Sequence, residues 1–374
     1  MFRFIHSSDL HLGKRFGNFS GDLPVRLREA RHGALARLAA LAREHGASTV
    51  LLAGDTFDTE TPAPEIRRQA LAEIRHHAPL RWIILPGNHD SLQASELWRG
   101  LQTEAPDNVM LAADCQPLIL APGVAVLPAP CTTRRPGRDL TEWMTGAATP
   151  EGTLRIGLAH GAVQSFSEET LATDVIAPDR ARRSRLDYLA LGDWHGAVAV
   201  DPRTHYSGTP EPDRFKHARP GAALVVSVEA AGAVPEVKTF VTQSFSWQSL
   251  DLHLLDGMDP VSALGELLPE ARHRRQALVR VIASGRSRLA GRTALAAAMA
   301  HAAPDFAYLD LDDAPLATEC ESADLDIIDR AGALREAADA LLAEADDPAR
   351  SAAEREIARA ALTRLFSYCE TINQ

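Results

Sequence analysis

The chain has 374 residues, 45% of them hydrophobic and 24% charged, with a formal net charge of −11. This length exceeds one typical domain and the composition is ordinary for a globular protein, which predicts a large domain plus one or two smaller ones. No apolar run reaches the ~18–20 residues needed to cross a bilayer, so no membrane span is expected. The opening MFRFIHSSDLHLG has no signal-peptide hydrophobic stretch, and Cys115, Cys131, Cys320 and Cys369 lack C-x-x-C spacing. Both features point to a reducing, cytoplasmic setting without disulfides or a zinc framework.

Along the chain, FRFIHSSD, STVLLAGD, RWIILPGN, LRIGLAH and LDYLALGD are short apolar runs that each end in Gly, Asp, Asn or His. Such runs read as buried strands. LPVRLREARHGALARLAALAREHG, between the first two, has helical spacing and a closing Gly46, and TPAPEIRRQALAEIRHHAP after the second is bracketed by prolines. Alternating strands and helices predict an α/β domain with a central sheet, whose ligands bind beyond the carboxyl ends of the strands. From 197 to 243, THYSGTP, GAALVVSV and PEVKTFV suggest antiparallel strands completing that domain.

A second unit begins at SWQSLDLHLL, read as strand 250–255, helix 260–268, strand 277–283, helix 290–302 and strand 306–311. Residues 320–374 have helical periodicity broken near Asp346-Asp347-Pro348 and predict two amphipathic helices. The predicted organisation is therefore 1–243, a small α/β module over 244–318, and C-terminal helices over 319–374. Charge is uneven across these parts: residues 1–243 hold 26 Lys/Arg and 28 Asp/Glu, and residues 244–374 hold 13 and 22. The acidity lies mainly in the C-terminal third, where 305–347 suits protein docking better than DNA.

The five strand ends carry Asp9-x-His11, Gly54-Asp55-x-x-Asp58, Gly87-Asn88-His89-Asp90, His160-Gly161 and Gly192-Asp193-x-His195. Any one of these alone reads as a turn or helix cap. Five in order, each at the end of a predicted strand, form a set of oxygen and nitrogen ligands suited to a pair of divalent cations, with one carboxylate bridging them. The D-x-H spacing puts both side chains on one side of an extended strand end, and glycine beside a ligand lets the backbone turn tightly.

This ordered set resembles the calcineurin-like metallophosphoesterases over residues 1 to about 215. The resemblance implies a sheet sandwich flanked by helices and a two-metal hydrolysis of phosphate esters. It assigns Asp9, His11 and His195 to one ion, Asn88, His160 and Asp193 to the other, and Asp55 to the bridge. His89 would be the catalytic acid and Asp58 the carboxylate that orients it. GDWH departs from the family pattern, with Asp193 where histidine is usual. A carboxylate there suits Mn²⁺ or Mg²⁺ better than zinc, and a degenerate site in a scaffold protein is an alternative.

Within the superfamily, FIHSSDLHLGKRF, VLLAGDTFD, LPGNHD, LDYLALGDWH and HYSGTPEP look most like the SbcD type of bacterial DNA-repair exonuclease. That likeness implies exo- and endonuclease activity, usually with Mn²⁺, a homodimer, and an SMC-like coiled-coil ATPase partner of the SbcC type. The α/β module and terminal helices would be its capping domain and its ATPase-docking segment. Lys14 and Arg15, beside the first motif, and Arg134, Arg135 and Arg138 in a loop are candidate DNA contacts. Arg180, Arg182, Arg183 and Arg185 read rather as solvated charges. A phosphodiesterase or phosphatase acting on another substrate is the remaining alternative.

Overall fold

A computed structural model describes residues 1–163, 175–216, 219–255, 257–319, 325–326, 328–329 and 332–373; Cys320 and Arg330 lie outside them. The chain forms two compact units, Met1–Ser246 and Trp247–Gln374.

In the first unit, four parallel strands, β1 (Phe2–Ser7), β2 (Thr49–Leu52), β3 (Arg81–Ile84) and β4 (Val109–Leu111), lie side by side. A second group comprises β5 (Leu118–Ala121), β6 (Val124–Ala129), β7 (Leu154–His160), β8 (Tyr188–Gly192), β9 (Val198–Asp201) and β10 (Thr204–Tyr206). The antiparallel β11 (Ala222–Val228) and β12 (Glu236–Val241) extend the first sheet beside β1. The result is two six-stranded sheets, ordered β12-β11-β1-β2-β3-β4 and β5-β6-β7-β8-β10-β9.

Period-two alternation explains the layering. Phe4, Leu51 and Ile83 point into a core shared with Ile156, Leu158 and Tyr188 of the other sheet. Their neighbours Ile5, Val50 and Trp82 point the other way, onto helices α1 (Leu23–Glu44), α2 (Pro64–His76) and α3 (Ser95–Glu104). On α1, Leu27, Ala34, Leu35, Leu38 and Ala42 recur at three- and four-residue spacing and are buried. The fold is thus the sandwich that the resemblance implied, with two sheets where the residue pattern predicted one. No described helix is long and apolar enough to cross a membrane.

The second unit has its own sheet, in which β13 (Ser246–Leu254) neighbours the long β14 (Ala277–Arg288). β14 pairs along its first half with β15 (Tyr308–Asp312) and along its second with β16 (Leu316–Glu319). Helices Pro260–Leu267 and Leu289–Ala302 cover Leu254, Val279 and Val281 with Leu264, Leu295 and Met299.

Two helices, Ala333–Asp346 and Ala352–Asn373, end the chain. Ala338, Leu362 and Phe366 are buried in one cluster with Leu289 and Ile328, and Leu341, Leu342 and Leu365 pack against it. Most of the apolar stripe is therefore core of its own unit. Leu334 and Ile357 are left exposed.

Candidate metal centre

The parallel strands β1, β2 and β3 of one sheet and β7 and β8 of the other end at a common place, and the loops that leave them carry the polar clusters. The backbone braces these loops directly. The amides of Asp9, His11 and Leu12 donate to the carbonyls of Gly54, Asp55 and Thr56 at 3.1, 2.9 and 2.9 Å, and that of Gly161 donates to Gly192 at 3.2 Å. Among the described residues six non-glycine residues have positive φ, and four of them are Asp9, His11, Asp55 and Asp193. Backbone held in that sparsely populated region costs of order 1–3 kcal/mol per residue and concentrates at functional sites. A Cβ at Gly54 or Gly192 would run into the His160 ring, and one at Gly87 into Asp55, so glycine is what lets these loops close together.

The side chains converge accordingly. Asp9, His11 and His195 offer ligand atoms within 4.8 Å of one another, and so do Asp9, Asp55 and His160. Asp55 Oδ2 lies 3.8 Å from His11 Nε2 and 3.5 Å from His160 Nε2, between the two groups. Asp193 Oδ1 is 3.8 Å from His160 Nε2 and 3.4 Å from Asn88 Nδ2.

All three histidines present Nε2 inward and Nδ1 outward. His160 Nδ1 donates to the Ala53 carbonyl at 2.8 Å, His11 Nδ1 faces Asp58 Oδ1 at 3.4 Å, and His195 Nδ1 faces Asp213 Oδ1 at 3.7 Å. The hydrogen bond at His160 Nδ1 fixes that ring's tautomer and turns its Nε2 to the cluster. Asp9 Oδ1, Asn88 Oδ1 and His160 Nε2 are buried without a hydrogen-bond partner among the described residues. Orphaned oxygen and imidazole atoms of this kind are what a pair of hard or borderline divalent ions satisfies. These residues fit such ions.

The electrostatics agree. Burial opposes charge on His160, but the Asp55 carboxylate outweighs it and raises the imidazole well above its ordinary value. Burial likewise opposes charge on Asp55, and His160 and His11 hold its carboxyl below the usual range. Burial raises Asp193 and lowers His11. Because a ligating imidazole must be neutral, a bound cation would displace the proton that Asp55 favours on His160.

The family model for calcineurin-like phosphoesterases matches residues 2–227, more than half of the chain. The chain belongs to the calcineurin-like phosphoesterase family. A curated relative, the SbcD component of the SbcCD nuclease of Escherichia coli K12, is 31% identical over 137 residues, covering 34% of this chain and 32% of its own. The protein of the same name from Rhodobacter capsulatus is 27% identical over 258 residues, covering 56% of this chain and 62% of its own. The phosphoesterase therefore spans about a third of the first relative's length and under two thirds of the second's.

The remaining predicted residues are placed as follows. The amide of His89 donates to Asp55 Oδ1 at 2.9 Å and its Nδ1 to the backbone carbonyl of Asp58, also at 2.9 Å. The group of Asp58 that meets His89 Nδ1 is thus its backbone carbonyl, while its carboxylate is 3.4 Å from His11 Nδ1 and 3.9 Å from Lys14 Nζ. Lys14, expected at a phosphate, is engaged with Asp213 at 2.7 Å. Arg15, Arg134 and Arg135 are exposed. Arg180 is buried on Asp139 at 2.6 Å, so it is structural and not a solvated charge.

Two residues of the phosphoesterase centre carried no assigned role in the sequence, although Asp90 lies in one of the five clusters. Asp90 is fully buried and accepts from the amides of Gly87 and Phe57 at 2.7 and 3.0 Å, bolting the β3 loop to the β2 loop. Burial beside Asp55 pushes its carboxyl up to about 7. Asp213 is buried against Lys14, Arg31, Arg214 and His195. Its only signal was its place in SGTPEPDRF, where no strand end marks it.

Proposed function

We propose that this metal-dependent phosphoesterase is an SbcD-like nuclease that hydrolyses DNA phosphodiester bonds with two divalent ions, Mn²⁺ by preference and Mg²⁺ as substitute. The observation that carries the two-ion reading is Asp55 Oδ2, held between the inward nitrogens of His11 and His160. The names of the two curated relatives support the nuclease reading. When bound, a pair of divalent ions supplies Lewis acidity to the phosphate oxygens and lowers the pKa of water.

The chain's own residues do the rest. Asp9, His11 and His195 would hold one ion and Asn88, His160 and Asp193 the other, with Asp55 shared by the two sets. Asp193 adds negative charge on the second side, which favours a hard ion over zinc. His89, its Nδ1 fixed on the Asp58 carbonyl, directs Nε2 at the departing oxygen. It gives that oxygen a proton while the P–O bond breaks and a water oxygen bonds to phosphorus in line, that water losing its own proton to solvent. Arg15, Arg134 and Arg135, which are exposed, contact neighbouring phosphates.

A homodimer and an SbcC-type coiled-coil ATPase complete the assembly, with 244–318 as the capping module. Because the stripe of the last two helices is largely internal, the ATPase contact would fall on their outer faces, where Leu334, Ile357 and Tyr368 are exposed.

Incubation of the full-length protein with Mn²⁺ and linear duplex DNA, beside p-nitrophenyl phosphate as a monoester, tests this reading. Shortened DNA with little monoester turnover is expected. Monoester hydrolysis with intact DNA would assign the site to a phosphatase.

A further inference from the structure

Lys14 stands between two carboxylates, each of which backs a histidine of the same cation subsite. Its ammonium is 2.7 Å from Asp213 Oδ2 and 3.9 Å from Asp58 Oδ1. Those carboxylates face His195 Nδ1 at 3.7 Å and His11 Nδ1 at 3.4 Å. On the far side of the rings the two Nε2 atoms are 3.3 Å apart, and each lies within 4.0 Å of Asp9 Oδ1. The chain builds this in a few residues. Gly13, at φ +94°, turns the backbone after His11-Leu12, and the Lys14 amide returns to the His11 carbonyl at 3.2 Å. The Asp58 amide meanwhile donates to the Leu12 carbonyl at 3.0 Å.

We propose that Lys14 is a positioning residue that yokes Asp58 to Asp213 and so holds His11 and His195 in the orientation that binds one of the two divalent cations. An imidazole binds a cation along a lone pair in the ring plane, so rotation about Cβ–Cγ swings Nε2 off target, and an outer carboxylate prevents that. Two carboxylates behind neighbouring rings repel each other, and the ammonium between them offsets that repulsion and sets their spacing. The groups are largely shielded, with side-chain exposures of 25% for Lys14, 21% for Asp58 and 0% for Asp213, so the pairs are screened less than surface pairs. The Asn88–His160–Asp193 side is outside the yoke: His160 is oriented by the Ala53 carbonyl.

The inference rests on the two-cation reading, and the sign of one measurement separates it from plain electrostatics. Removing a positive charge near a cation site should by itself tighten cation binding; removing a yoke should loosen it. Mn²⁺ is titrated calorimetrically into the metal-free full-length protein as wild type, Lys14→Met, Asp213→Asn and the double variant. Circular dichroism checks the fold, and electron paramagnetic resonance reads coupled against isolated Mn²⁺.

Wild type should take two ions. Lys14→Met should weaken one of them by ~10–100-fold, the usual effect of losing an outer partner, replace coupled with isolated Mn²⁺ signal at limiting metal, and leave the other ion within about two-fold. The double variant should bind no more weakly than Asp213→Asn, because both act through one device. Equal or tighter binding by Lys14→Met, equal weakening of both ions, or additive losses in the double variant would overturn the yoke. If Asp213→Asn does not fold, the sign and site selectivity of Lys14→Met decide alone. A wild type that binds no Mn²⁺ would instead refute the two-cation reading itself.

Discussion

His89 and Asp55 differ in what their loss should remove. The His89 ring is tethered through Nδ1 to a backbone carbonyl, and its amide, not its ring, touches Asp55. His89→Ala should therefore keep both ions, by elemental analysis, while lowering kcat on bis-p-nitrophenyl phosphate by ~10²–10⁴, the contribution of a positioned general acid. Loss of metal in that variant would make His89 a ligand. Residues of this kind were legible because each proposed ligand lies at or within a few residues of a strand end, as Asp9 lies two past β1 and Asp193 one past β8. Asp213 was not legible: it reaches His195 from an irregular segment, and a carboxylate in such a segment reads as a turn. The atom through which Asp58 holds His89 could not be read either, since sequence names residues and not which of their oxygens points inward.

At the scale of elements, the five strands that lead to the proposed ligands stood out because apolar runs of four to seven residues end abruptly in polar ones. β4, β5 and β6 carry no ligand; β6 runs into Pro130 and Cys131, so nothing at its end marked it although it is wholly buried. The segment after β6 is fixed by Asp139, which accepts from Thr141 and pairs with Arg180 at 2.6 Å. Burial opposes the Asp139 charge, but Thr141 and Arg180 outweigh it and hold the carboxyl below its ordinary range. A depressed carboxyl stabilises the fold above its unfolded pKa near 4, and that contribution fades as pH falls through the folded value. Asp139→Asn should thus cost ~1–2 kcal/mol at pH 7, less than the ~3–5 of a fully buried pair because Asp139 keeps some solvent contact. In urea unfolding the gap from wild type should narrow as pH is lowered towards about 3; a pH-independent gap would mean the charge contributes nothing.

For the molecule as a whole, the two units carry separate cores, and the terminal helices belong to the second. The sequence revealed their apolar stripe but not what covers it, because amphipathic spacing is the same whether the partner is a neighbouring helix or another chain. Phe366 is fully buried there, so Phe366→Ala should destabilise the second unit by ~3–5 kcal/mol and leave the Mn²⁺ content of the first unchanged. Undiminished stability on thermal melting would reopen the stripe as a docking face.

The central claim is that one carboxylate, Asp55, joins two cation subsites into one hydrolytic centre. Mn²⁺ content after equilibrium dialysis, measured by elemental analysis on wild type and Asp55→Ala alongside hydrolysis of bis-p-nitrophenyl phosphate, tests it most directly. Two ions and Mn²⁺-dependent hydrolysis in wild type, with both sharply reduced in Asp55→Ala, are predicted; full metal content in the folded variant would contradict the account.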